Sequence, residues 1–175
     1  MIGRRSFLAL SGVAFLAACA TEPLLNLSMA NGYNVGSVSI DVSSVEGLKG
    51  GREIVRSPAQ IKADMMASVG AAMARESNPA GRRVSVQINL TEVYLVSPGQ
   101  AFLLGGISSA KGVLQVTDSV TGEIVVPATE IVGTVEGWAP GGLIALANSV
   151  TPEQDYNALV AGFATEVKTR LFGAE

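Results

Sequence analysis

In "RVSVQINL" (83–90) apolar and polar side chains alternate without a break. Val84, Val86, Ile88 and Leu90 fall on one side of an extended chain, and Arg83, Ser85, Gln87 and Asn89 on the other. A period of two marks a half-buried strand. "SVSIDVS" (37–43) has the same pattern through Val38, Ile40 and Val42. Val93 and Leu95 return out of phase with Leu90, which predicts a bulge near Thr91 and Glu92. "GVLQVTDSVTGEIVV" (112–126) predicts a hairpin: a strand to Thr117, a turn through Asp118 to Gly122, and a return strand that "ATEIVGTVEG" carries to about Gly137. Asp at the start and Gly at the end suit a type I turn with a glycine bulge.

Twice the period changes to a helical one. Ile61, Met65, Val69 and Met73 make one apolar stripe, and Tyr156, Val160, Phe163, Val167 and Leu171 another. Both helices open with the same grammar, "SPAQ" at 57–60 and "TPEQ" at 151–154. Ser57 and Thr151 are the N-caps, proline takes the first helical position, and Gln60 and Gln154 close capping boxes. "ESNPAG" stops the first helix, and Gly173 caps the second behind Lys168 and Arg170. "SSVEGLKGGRE" (43–53) has turn chemistry around Gly50-Gly51. The order β-α-β-β-β-α, with one apolar face per strand, predicts an α+β two-layer sandwich. Its sheet is mostly antiparallel, both helices cover one face, and the other shows Ser, Gln, Asn and Thr to solvent or to a partner.

Before the first strand lies "RRSFLALSGVAFLAACA" (4–20). Its apolar run is about a dozen residues, whereas a bilayer span needs roughly 20. Behind Arg4 and Arg5 it fits the apolar region of a secretory signal. Leu16-Ala17-Ala18-Cys19 resembles the lipobox of bacterial lipoproteins. That resemblance implies a diacylglyceryl group on the Cys19 sulfur, cleavage before Cys19, and acylation of the new amino group. Small residues give a peptidase access to extended backbone, and the cysteine thiolate is the nucleophile for thioether formation. Two or three acyl chains hold a protein firmly, at about 0.8 kcal/mol per buried CH₂. The alternative is an ordinary N-terminal helix with a buried free cysteine. Arg4-Arg5-Ser6-Phe7-Leu8 also resembles the twin-arginine export motif, with Gly3 where that motif usually has a polar residue.

These signals divide the chain into a leader (1–18), a lipid-anchored tether (19–34) and one α+β domain (35–175). Within the tether, Thr21 to about Tyr33 is about a dozen residues and reaches roughly 40 Å when stretched. Ala20 stands where an Asp would favour the inner membrane, so the expected address is the periplasmic face of the outer membrane.

Composition narrows the chemistry. The chain has no histidine, which excludes Ser-His-Asp and Cys-His catalysis and histidine metal ligation. Its single cysteine is the one expected to carry lipid, so neither a disulfide nor a thiolate metal site is expected. Loss of the leader's two arginines moves the formal charge from −3 to −5, which suits no nucleic acid. No cofactor and no metal is expected.

The hairpin "VLQVTDSVTGEIV", behind "TEVYLVSPG" and a glycine-rich apolar loop, resembles uncharacterised bacterial envelope lipoproteins. More distantly the layout looks like the small α+β domain of the curli-secretion and TolB amino-terminal lipoproteins. Spanning roughly residues 35 to 172, the resemblance lends no catalytic residue and implies a membrane-tethered domain that works through contact.

Two segments are the candidate interaction patch. One holds Phe102-Leu103-Leu104 before Gly105-Gly106, and the other holds Trp138, Pro140-Gly141-Gly142, Leu143 and Ile144. Apolar loops with paired glycines suit a partner or membrane contact; alternatively they fold over an end of the core and bury each other. Asp41, Glu92, Glu130 and Glu136 could flank a glycan if two converged, but belong more readily to solvated strand faces. "GGISSAKG" lacks the spacing of a phosphate loop. The expected protein is therefore no enzyme. It is held to a membrane through Cys19 and binds an unknown envelope protein or its own copies; the alternative is a lipid- or peptidoglycan-binding module.

Overall fold

The computed structural model describes residues 23–25, 32–45, 48–50, 56–97, 106–135 and 151–173. Among these residues five strands and two helices follow one another: β1 (Tyr33–Asp41), β2 (Leu48–Gly50), α1 (Pro58–Glu76), β3 (Arg82–Leu95), β4 (Ser109–Asp118), β5 (Ile124–Thr134) and α2 (Pro152–Phe172). The α+β layout is the expected one, with the three-residue β2 added where the sequence offered only turn chemistry. Within the sheet the order is β1-β3-β4-β5, and β2 pairs beside the far end of β3. β3 is parallel to β1 and β2 and antiparallel to β4, which is antiparallel to β5.

β3 organises the sheet. Val84, Val86, Ile88 and Leu90 are buried, and so are Val93 and Leu95. The phase is kept by a one-residue bulge: Leu90 pairs with Gly112 and Glu92 with Lys111, which leaves Thr91 over. Thr91 Oγ1 donates to the Lys111 carbonyl at 3.2 Å. At this crowded place a Cβ on Gly112 would stand 2.9 Å from the Asn89 carbonyl oxygen.

Both helices begin in complete capping boxes, around Ser57 and Gln60 and around Thr151 and Gln154. Each satisfies amides the first turn leaves without partners, and such a cap is worth about 1 kcal/mol. The predicted stripes are the buried ones, Ile61, Met65, Val69 and Met73 on α1 and Tyr156, Val160, Phe163, Val167 and Leu171 on α2. Side by side, the helices run in the same direction. Tyr156 bonds Asp64, Ser68 bonds the Val160 carbonyl, and Lys168 faces Glu76 at 3.7 Å. α2 meets β5 through glycine on both sides. A Cβ on Gly162 would collide with the Thr134 carbonyl oxygen, and one on Gly133 with the Phe163 backbone.

The far end of β4 closes as the hairpin chemistry requires. Asp118 Oδ1 accepts from the Val120 and Thr121 amides, and Gly122 turns with φ +74°. Arg82 bridges Asp118 and Glu123. Parts of the expected tether also belong to the domain. The Leu24 and Leu25 amides donate to the Arg170 and Leu171 carbonyls at 2.7 and 3.1 Å. These are last-turn carbonyls without helical partners. Leu25 is 3% exposed, and Tyr33 is buried in β1.

Two measurements check this architecture. Gly162→Ala lowers unfolding free energy by about 1–3 kcal/mol, the usual cost of overpacking. Gly70→Ala, with open space at its Cβ position, raises it by about 1 kcal/mol through helix propensity; denaturant titrations read both. The second is a pH profile. Hydrogen bonds donated by the Thr121 amide, then by Arg82 and the Val120 amide, hold the Asp118 carboxyl below its ordinary 3.8. A depressed carboxylate stabilises the fold above its unfolded pKa and ceases to as pH falls through the folded value. Wild type therefore keeps a constant advantage over Asp118→Asn above about pH 5, and the two converge as the solution is acidified below 3.8.

Candidate functional site

Most of the sequence-named residues lie outside the described residues. These are Arg4, Arg5, Leu16, Ala17, Ala18 and Cys19 of the leader and lipobox, Phe102, Leu103, Leu104, Trp138, Leu143 and Ile144 of the two apolar segments, and Glu136. The structure does describe where the chain leaves for both apolar segments and where it returns, and those points meet.

They meet at Ser108. Its hydroxyl accepts from the Val96 amide at 3.1 Å and donates to Asp155 Oδ2 at 2.6 Å. Its carbonyl accepts from the Val135 amide at 3.3 Å. Val96 and Ser108 flank the first segment; Val135 precedes the second, and Asp155 follows it in the first turn of α2. Both Ser108 and Asp155 are buried, so each needs its polar partner inside the protein. A carboxylate in a helix's first turn also faces the positive end of the helix dipole. Sequence reading missed this pair, because its partners are 47 residues apart. Acid in the first turn of a helix was the one available sign.

The same end holds both helix N-termini. Arg56, one residue before the α1 cap, pairs with Glu153 and lies 5.2 Å over the Tyr156 ring. The Tyr156 hydroxyl donates to Asp64 Oδ2 at 2.9 Å. Burial, and then this bond, raise the Tyr156 hydroxyl above the usual phenol range. Two parallel helices bring like dipole ends together, and Asp64, Glu153 and Asp155 place negative charge among them. β2, at the end of β3, belongs to this end too.

The open face of the sheet carries the polar rows expected of it. Ser39 and Gln87 are level, as are Asp41, Asn89, Val113 and Glu130. Asp41 and Glu130 thus stand three strand spacings apart, about 14 Å, beyond the roughly 5–9.5 Å of a glycosidase pair. Glu92 pairs with Lys111 at 3.0 Å. Hydrogen bonds from Ser43 lower the Asp41 pKa. Val113 and Val132 interrupt the polar rows as exposed apolar side chains. Among the described residues no helix is long and apolar enough to cross a membrane.

No family model and no curated protein matches the chain. Among solved structures, a provisionally assigned lipoprotein from Caulobacter crescentus is 13% identical, covers 71% of this chain and 86% of its own, and has a TM-score of 0.36. An uncharacterised protein is 9% identical over 83% and 90%, with a TM-score of 0.42. A PelC dodecamer from Paraburkholderia phytofirmans is 13% identical over 83% and 91%, with a TM-score of 0.36. At these scores the likeness extends to no residue and no activity.

Asp155→Ala leaves the buried Ser108 hydroxyl without its acceptor and lowers stability by about 1–3 kcal/mol. Adding Ser108→Ala costs less than the sum of the two single changes, because they share one bond; a double-mutant cycle by denaturant unfolding measures the difference.

Proposed function

We propose that this chain is a lipid-anchored envelope protein that acts by contact rather than catalysis. Through Cys19 it is held on the periplasmic face of the outer membrane. To an envelope protein or a second copy it presents the end of the domain at which the two glycine-rich apolar segments begin and end. One observation carries this reading: Val96, Ser108, Val135 and Asp155 are joined by hydrogen bonds at Ser108. Two apolar segments that start from one point can act as a single surface, and a concentration of Phe, Leu, Ile and Trp is what protein contacts use. The lack of histidine and the wide spacing of Asp41 and Glu130 support contact over chemistry.

The test has two parts. Expressed in full in a Gram-negative host, the chain gives an intact mass that begins at Cys19 and includes two or three acyl chains, while Cys19→Ala does not. An unmodified chain that keeps residues 1–18 sinks the anchor. A photo-reactive residue placed at Ile107, exposed beside Ser108, then gives an adduct in the envelope, several-fold weaker in Trp138→Ala at unchanged melting temperature. Twice the chain's mass identifies a second copy and another mass a partner. An adduct only to lipid or peptidoglycan favours the binding-module alternative.

A further inference from the structure

The domain has two chemically different ends. α2 has 21 residues, so its N-terminus at Ser108 and its last turn at Leu24 are about 30 Å apart. Gathered at the Leu24 end are the C-termini of both helices, the start of β3 and the turn after β4. Five basic side chains stand there: Arg75 and Lys168 near the helix C-termini, Arg170 in the last turn of α2, and Arg82 and Arg83 at the start of β3. The leader removed, the whole chain has only ten Lys and Arg. Three acids at this end are already engaged: Lys168 faces Glu76, and Arg82 holds Asp118 and Glu123. Glu166 lies one turn back from Arg170. Among the described residues, Arg75, Arg83 and Arg170 face no carboxylate within ion-pair distance.

Beside these charges the turn carries Val120, 84% exposed, and Ile124, 57% exposed. Arg83 belongs to the sheet's open face and Arg75 and Arg170 to the helical layer, so what they share is an end and not a side. At that same end the chain arrives from Cys19. Leu24 is fixed to Arg170, and the five residues back to Cys19 span at most about 17 Å.

We infer that this end rests on the membrane: Arg75, Arg83 and Arg170 meet anionic lipid headgroups, and the Val120 turn sits at headgroup level. Basic residues near such a surface are drawn to its negative potential, and an exposed valine in the turn beside Arg82 and Arg83 suits the boundary between headgroups and acyl chains. The domain then stands upright, with the Ser108 end about 30 Å farther out. This inference rests on the Cys19 anchor.

The test uses the full, processed chain in vesicles of phosphatidylcholine with or without phosphatidylglycerol. Lipid on Cys19 blocks the native thiol, so Val120→Cys and Asn157→Cys each accept one fluorophore, at the near and far ends. A lipid-borne quencher is expected to quench the label at 120 several-fold more than that at 157, in phosphatidylglycerol vesicles at low salt. Arg75→Glu with Arg83→Glu abolishes the difference while the chain still floats with the vesicles and melts as before. Equal quenching of both labels on a floating chain overturns the docking and leaves the anchor standing. Undiminished quenching at 120 in pure phosphatidylcholine, or after charge reversal, overturns the headgroup contact. A chain that neither floats nor carries lipid defeats the anchor, and the docking falls with it.

Discussion

A sheet covered on one side only must keep its apolar side chains on that side along the whole of each strand. β3 meets this demand over fourteen residues by adding one residue at Thr91. Because side chains alternate with a period of two, a register slip of one would turn Val93 and Leu95 to solvent. Both positions pair with β2, and Val93 pairs with Ala110 at the start of β4. The bulge therefore decides where β4 begins, and with it the place of Ser108.

Helix direction follows from the same geometry. α1 leads from β2, itself parallel to β1, to the parallel β3, and so must run back against them. α2 returns from the end of β5, which is parallel to β3, and runs back as well. Two helices in one direction put like dipole ends together, and α2 answers with Glu153 and Asp155 in its first turn and Arg170 in its last. The charge pattern of α2 thus begins as a requirement of connecting strands. Glycine at 133 and 162 lets α2 approach β5 closely enough to bury Phe163.

Local patterns made much of the fold legible. Alternation in 83–90, the phase change at Thr91, the Asp118–Gly122 turn and both capping boxes each involve neighbours within a few residues, and each is found in the structure. What stayed hidden depends on residues far apart. Leu24-Leu25 lies in a stretch without a period, and nothing near it announces that its amides complete a helix 146 residues on (Leu24 to Arg170). β2 is three residues long, too short for a pattern. The Ser108–Asp155 bond joins described residues that flank the two apolar segments, a meeting point that no local pattern marks. The parallel helices explain why their matching openings share an end, whereas sequence offered only a shared grammar.

The hold of Leu24 and Leu25 on the last turn of α2 also bears on timing. A ribosome releases the first of these residues long before it has made Arg170 and Leu171, so this clasp is among the last contacts available to the growing chain. Until it closes, the Arg170 and Leu171 carbonyls at the end of α2 lack these two amide partners. Once closed, tension on the chain before Leu24 passes directly into the axis of α2 instead of peeling β1 from the edge of the sheet.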